Sequence, residues 1–215
     1  MIGYKGFDRN FQCRGFQYEV GKTFTFDGKI KVCKRGFHFQ TDPVSVLNFY
    51  PPIGSRFALV EATGNIDEYF WTPSVKCTDK LTIIKELSLE ELILKDDGIL
   101  SLQRIVNPVR ANVLPYSNAF TDVTESVSFS CGRHSIAVAG GSRSVAIVTA
   151  DNSIAVATGW GSIAKGTLGC WLVLAEWNNE GIADVQVLNV DGVKIKPDTF
   201  YALKDGKPVE VSPYD

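Results

Sequence analysis

Ser126-Val-Ser-Phe-Ser-Cys-Gly-Arg-His134, Ser135-Ile-Ala-Val-Ala-Gly-Gly-Ser-Arg143, Ser144-Val-Ala-Ile-Val-Thr-Ala-Asp-Asn152, Ser153-Ile-Ala-Val-Ala-Thr-Gly-Trp-Gly161 and Ser162-Ile-Ala-Lys-Gly-Thr-Leu-Gly-Cys170 are five nonapeptides in one constant register. A weaker copy, Ser117-Asn-Ala-Phe-Thr-Asp-Val-Thr-Glu125, precedes them. In each unit the first five residues alternate between small and β-branched or aromatic side chains, the period of two that marks a short strand. The last four supply Gly, Asn and Asp, the residues that accept left-handed corners. A strand and a turn every nine residues predict a parallel β-solenoid or flattened β-roll, whose units bury their faces only against their neighbours. The small row lets one face pack closely. The Ile/Val row must also be covered, because a solvent-facing stripe of this kind is adhesive; either another part of the chain or another subunit covers it, and a contact with a second copy of the chain is favoured. A calcium-binding roll needs Asp and Gly in every turn, and only Asp151 is available.

Working outward, residues 111–175 hold only Asp122, Glu125, Arg133, Arg143, Asp151 and Lys165 as charged residues, so a charge-poor stack lies between two charged flanks. Residues 1–40 carry eight Lys/Arg against three acids, a local +5 inside a chain of net −2. Such an excess attracts a small anionic ligand. It is too small, and too poor in aromatics around the cations, for duplex nucleic acid. No apolar run approaches the length of a membrane helix, and no secretory leader is evident at Met1, so the expected compartment is the cytoplasm. Cys13, Cys33, Cys77, Cys131 and Cys170 are odd in number, widely spaced and without a Cys-x-x-Cys pair, and are read as reduced thiols. With two His and no ligand cluster, no metal site is expected.

The expected organisation is an α+β head over residues 1–87, a helical connector over 88–110, the solenoid over 111–170 and a capping β-meander over 171–215. In the head, strands are expected at Tyr4–Phe7, Phe16–Val20, Lys29–Cys33, Arg56–Thr63 and Leu81–Leu87. A short helix should run from Asp42-Pro43 to Tyr50, stopped by Pro51-Pro52. Ser88-Leu-Glu-Glu91 is a capping box opening a helix through Leu94, and Ile99–Val106 reads as a second helical piece. Asp191-Gly192 and Asp205-Gly206 are turn signals between strand-like runs.

Tyr4–Phe7, Cys13–Glu19, Gly36–His38 and Gly169–Leu174 together resemble an uncharacterised family of bacteriophage and prophage proteins. That resemblance implies a viral accessory protein in an infected bacterial host and brings no catalytic residues with it. Gly36-Phe-His-Phe39, the segment ending in Asn48-Phe-Tyr50, and Phe57–Gly64 are also similar to the central part of ADP-ribosyltransferases of the poly-ADP-ribose polymerase type. This second similarity implies a split sheet whose cleft holds NAD or an ADP-ribose-like ligand, with Tyr4 and His38 at pocket positions and Glu86 as the catalytic carboxylate. Tyr4, Lys5, Arg14, His38, Tyr50 and Arg56 are the candidate ligand-binding residues, the two arginines because a guanidinium fork grips phosphate. The favoured function is a non-enzymatic counter-defence factor that binds a nucleotide-like anion or a host defence protein through its head and forms homo-oligomers through its solenoid. An ADP-ribosyltransferase and a structural virion or assembly protein are the alternatives.

Overall fold

The computed structural model describes residues 1–69, 72–95, 105–106, 109–112, 116 and 118–214. The chain divides into two compact units, unit 1 of residues 1–50 and 54–96, and unit 2 of residues 51–53 and 97–215.

Unit 1 is built from β1 (Ile2–Asp8), β2 (Gln12–Cys13), β3 (Phe16–Gln17), β4 (Thr23–Thr25), β5 (Phe37–Gln40), β6 (Ser55–Ala62), β7 (Ile66–Tyr69), β8 (Thr72–Thr78) and β9 (Lys80–Leu87). Seven of these strands form one antiparallel sheet in the order β4-β9-β6-β1-β5-β8-β7, and β2 pairs with β3 as a separate hairpin. The expected α+β head is therefore almost all β. The helix foreseen from Asp42 to Tyr50 is a single 3-10 segment, Val44–Asn48, because its apolar Val44, Val46 and Leu47 are too few to extend an amphipathic face. Helix α1 (Leu89–Leu94) forms where the capping box lies: Ser88 Oγ accepts from Glu91 N, and the Glu91 carboxylate accepts from Ser88 N. Lys29–Cys33 is no strand and carries only one isolated bridge, Lys31 to Arg35. Residues 99–104 of the second helical piece lie outside the described residues, and Ile105–Val106, where it was to end, is a strand.

In unit 2, β10 (Ile105–Val106), β11 (Val109–Asn112), β13 (Val127–Ser130), β15 (Val145–Val148) and β17 (Ile163–Gly166) fall in one sheet. The other sheet holds β12 (Asn118–Thr121), β14 (Ile136–Ala139), β16 (Ile154–Ala157), β18 (Trp171–Asn178) and β19 (Gly181–Asn189). Each nonapeptide is thus half a coil, successive strands alternate between the two sheets, and parallel pairs join residues one coil apart, as Val127 with Val145 and Ile136 with Ile154. The β-solenoid spans residues 118–174 in about three turns. At its exit Ile154 pairs with Trp171, one residue short of the eighteen-residue spacing.

The alanine rows face inward, Ala137, Ala146, Ala155 and Ala164 packing with Leu172, Leu174 and Tyr201 in one buried cluster. Small side chains let the two sheets approach, and the left-handed corner falls on the last residue of the unit: Tyr116, Glu125, His134, Arg143, Asn152 and Gly161 all have φ between 50° and 65°. Gly141 and Gly159 serve a different need. A Cβ on Gly159 would lie 2.0 Å from Gly141 O, and one on Gly141 would lie 2.1 Å from Val123 O, so stacked turns touch through bare backbone. The outward β-branched row has two fates. Val127, Phe129, Val145 and Ile147 are buried within this single chain, whereas Ile136, Val138, Ile154 and Val156 are half-buried.

The tail does not stand apart as a meander. The β18–β19 hairpin continues one solenoid sheet, and β20 (Tyr201–Lys204) with β21 (Lys207–Glu210) continues the other. Asp205 and Gly206, both at positive φ, make the two-residue hairpin turn that the Asp-Gly pair signals.

Serines at the start of each unit form a buried ladder. Ser144 Oγ accepts the Ser126 N–H at 3.2 Å and donates to Val123 O at 3.0 Å, and Ser162 Oγ accepts the Ser144 N–H at 3.0 Å. Ser128 Oγ is buried without a partner among the described residues. Ser144→Ala should therefore destabilise unit 2 by about 1–3 kcal/mol by orphaning a buried N–H, while Ser128→Ala, which removes an unsatisfied hydroxyl, should be neutral or stabilising. Urea denaturation of the two variants checks the contrast, and equal losses would contradict the ladder's role.

Candidate functional site

β1 runs beside β6 through seven register pairs, from Ile2 with Glu61 to Asp8 with Ser55, but meets β5 only at Tyr4 and Gln40. A cavity of about 710 Å³ lies along this thin seam, lined by Tyr4, Lys5 and Gly6 of β1 and by Phe37, His38, Phe39 and Gln40 of β5. The rest of the lining comes from the β2–β3 hairpin (Cys13, Arg14, Phe16), from Tyr18 and Phe26, from Cys33, Lys34, Arg35 and Gly36, from Val46, Phe49 and Tyr50, and from Val75 of β8. This volume lies in the ordinary range for small-molecule sites.

Local sequence explains how each wall is held. Tyr50 lies flat against β1 because residue 6 is glycine: a Cβ there would fall 2.3 Å from the ring. Its hydroxyl donates to Cys13 Sγ at 2.9 Å. Arg14 and Gly15 form the tip of the β2–β3 hairpin with φ of 51° and 76°, a primed turn that carries an exposed guanidinium to the cavity mouth. Lys34 and Arg35 are also exposed, whereas Lys5 is 4% exposed. The Lys5 ammonium position is fixed by His38 O at 2.7 Å and by the rings of Tyr18 and Phe7, whose centroids are 5.2 and 5.6 Å away. Cations thus stand at the rim and at the floor, and none of the described lining residues is Asp or Glu.

Burial is the main force on the titratable groups. It pushes the Tyr18 and Tyr50 hydroxyls above their ordinary range, with the neighbouring Cys13 acting in the same direction. It also lowers His38, assisted by the positive Lys5 and Arg14 and opposed by a backbone hydrogen bond at Gly36. His38 Nε2 accepts the Cys33 N–H at 2.7 Å, the arrangement of a neutral imidazole.

Of the residues singled out in the sequence, the cavity brings together Tyr4, Lys5, Arg14, His38 and Tyr50. Arg56 and Glu86 are not on its lining. They bind each other in a bidentate pair, Nε to Oε1 and Nη2 to Oε2 at 2.7 Å each, on the adjacent strands β6 and β9, with the Arg56 guanidinium 4.5 Å from the Phe11 ring centre. A carboxylate spent on a fork of this kind is a structural anchor. Cys13, Tyr18, Lys34, Arg35 and Gln40 also line the cavity and are not among the ligand-binding residues that the sequence singles out. Gln40, which ends the alternating Phe37-His-Phe-Gln40 strand, is 7% exposed with an Oε1 that has no hydrogen-bond partner among the described residues.

Residues 1–95 match a family model described as a domain of unknown function, DUF7666. Every residue on the cavity lining falls inside that match. No curated protein and no solved structure matches the chain. No helix among the described residues is long and apolar enough to cross a membrane.

Folding lowers the His38 pKa, so as pH falls through its ordinary value of 6.5 the unfolded chain takes up the proton first. Stability tied to the neutral imidazole is complete above that value and lost below it. Acidification from about pH 7 to about pH 5 should lower the melting temperature of the native protein more than that of His38→Gln, whose amide oxygen can still accept the Cys33 N–H. Identical acid losses in the two proteins would show that His38 is not held neutral.

Proposed function

We propose that unit 1 is a binding module for a planar, anionic small molecule of nucleotide size, and that the protein sequesters this molecule without turning it over. One observation carries the reading: Lys5, Arg14, Lys34 and Arg35 share the cavity with eight Tyr and Phe residues and, among the described residues, with no carboxylate. Aromatic walls take the face of a base or similar ring, and the rim cations answer phosphate charge. The same capacity is compatible with the counter-defence role in an infected bacterium that the family resemblance suggests, since withdrawing a signalling nucleotide needs affinity and no catalytic group.

The near-parting of the sheet between β1 and β5, with Tyr4, His38 and Tyr50 on the cavity, supports a likeness to the ADP-ribosyltransferase arrangement. The chemistry of transfer is not supplied with it, because Glu86 is bound to Arg56 and the lining offers no other acid to stabilise a ribosyl cation. Isothermal calorimetry against mononucleotides, cyclic nucleotides, NAD and ADP-ribose should find at least one ligand. Arg14→Ala with Arg35→Ala should weaken it roughly tenfold, as expected for two rim cations. NAD should not be hydrolysed. Absence of heat with the whole panel sinks the reading, and NAD cleavage replaces sequestration with catalysis.

The solenoid supports self-association. Phe120, Val138, Val156, Val173 and Val187 stand in register across the five strands of one sheet, an uncharged apolar row in which Phe120 and Val187 are the most exposed. A second copy is the occupant we propose for this face. Phe120→Lys with Val187→Lys should lower the mass seen in sedimentation equilibrium without changing the melting temperature; a native protein that is already monomeric at high concentration rules the contact out.

A further inference from the structure

Unit 1 buries two lysines, and they are treated differently. Lys76, 9% exposed, has the Glu68 carboxylate against its Nζ. Lys5, 4% exposed, has no salt bridge among the described residues. Its partners are a backbone carbonyl, His38 O at 2.7 Å, and Cys13 Sγ at 3.7 Å, and it opens on the cavity. An ammonium withdrawn from water without a counter-charge favours its free base. Burial accordingly lowers the Lys5 pKa, Cys13 opposes the shift, and Arg14 adds to it. The other titratable groups around it, His38, Tyr18 and Tyr50, are themselves driven toward their neutral forms by burial.

A second feature of the cavity points to a ligand independently. Gln40 on β5 pairs with Tyr4 and lines the same cavity, and its buried Oε1 has no partner among the described residues. An orphaned acceptor on a cavity wall is satisfied when something carrying an O–H or N–H enters.

We infer that Lys5 is a nucleophilic amine and that the cavity captures a phosphorylated aldehyde as a Schiff base on its Nζ. This rests on the anion-binding reading above and adds the reactive group of the ligand. The amine lone pair forms the C–N bond. The two amine hydrogens then leave with the carbonyl oxygen as water, giving the imine with no oxidant or reductant. Arg14, Lys34 and Arg35 hold the phosphate at the rim, and the unsatisfied Gln40 Oε1 takes a hydroxyl of the ligand elsewhere on the cavity wall.

The test uses the intact protein. Pyridoxal 5′-phosphate and ADP-ribose, an aryl aldehyde and a reducing sugar that both carry phosphate, are incubated separately with it at neutral pH. Sodium cyanoborohydride then reduces any imine, and the adducts are mapped by peptide mass spectrometry. Lys22 and Lys31, whose side chains are 59% exposed, are internal references. An ordinary buried lysine would react more slowly than either, so labelling of Lys5 severalfold ahead of both by at least one probe supports the inference. Labelling no faster than the references with both probes overturns it. Pyridoxal, which lacks phosphate, should label Lys5 less than its phosphate ester does, and equal labelling overturns the phosphate part of the assignment. If Lys5 stays unlabelled while a nucleotide without an aldehyde binds by calorimetry, this inference fails and the anion site stands. If no ligand binds and Lys5 stays unlabelled, both fail. Lys5→Met, checked for an unchanged melting temperature, should lose that adduct alone; because the mapping is made on the native protein, the result does not depend on the variant folding.

Discussion

Both units depend on groups coming closer than a Cβ allows. In unit 1 the Phe39 ring lies where a side chain on Gly3 would be, 2.3 Å from the hypothetical Cβ, and the Tyr50 ring occupies the same place over Gly6. Without those two bare positions on β1 the rings would be pushed away and the cavity wall they form would not exist. In unit 2 the constraint is met by Gly141 and Gly159 between stacked turns and by alanine between the sheets. Interiors packed to crystal-like density leave no slack for an added methyl at such places, so the spacing of the small residues fixes the geometry of everything around them.

The cavity takes its character from a charge that the fold leaves unneutralised. Burying an ammonium carries a penalty of several kcal/mol that a close carboxylate can offset. Lys76 has such a carboxylate; Lys5 has π faces, a carbonyl and a thiol in its place. Arg56 takes Glu86 on the neighbouring strands, and no Asp or Glu is among the described lining residues, so the charged groups on the cavity lining are of one sign. An incoming anion restores the missing counter-charge, and a neutral amine removes the need for one. The noncovalent and covalent readings of the site are thus two responses to one electrostatic deficit.

The solenoid was legible because its signal is a period: a nine-residue register survives any single substitution, and alternation within it assigns strand and face together. Its corners were less so. Composition pointed to Gly, Asn and Asp, yet the left-handed position falls on Glu125, His134 and Arg143 as readily as on Asn152, since stacking forces above and below override a local preference of about 1 kcal/mol. In unit 1 the strands β4 and β7, of three and four residues, are too short to carry a period, and β8 was not legible either, while the helix expected from Asp42 to Tyr50 forms only as the 3-10 segment Val44–Asn48. Arg56 and Glu86 looked like site residues for sound chemical reasons, and only the pairing of β6 with β9 shows that they satisfy each other. Gln40 could not be singled out at all, since an orphaned oxygen is a property of three-dimensional surroundings.

The end of the matched family segment at residue 95 coincides with the end of unit 1 at residue 96, so the whole cavity lies within the matched segment and the repeats lie outside it. The division of labour is consistent with the chemistry of each unit. The serines that begin each repeat are committed to hydrogen bonds between coils, and the exposed ion pairs, Arg133 with Asp151 and Arg143 with Glu125, run between residues one coil apart. Polar groups consumed in this way hold the stack together and leave little with which to recognise a ligand. Unit 1 differs: among the described residues its buried Lys5 has no salt bridge, Gln40 Oε1 has no hydrogen-bond partner, and Arg14, Lys34 and Arg35 are exposed on the cavity lining, so the proposed ligand would find polar groups there that the fold itself does not use.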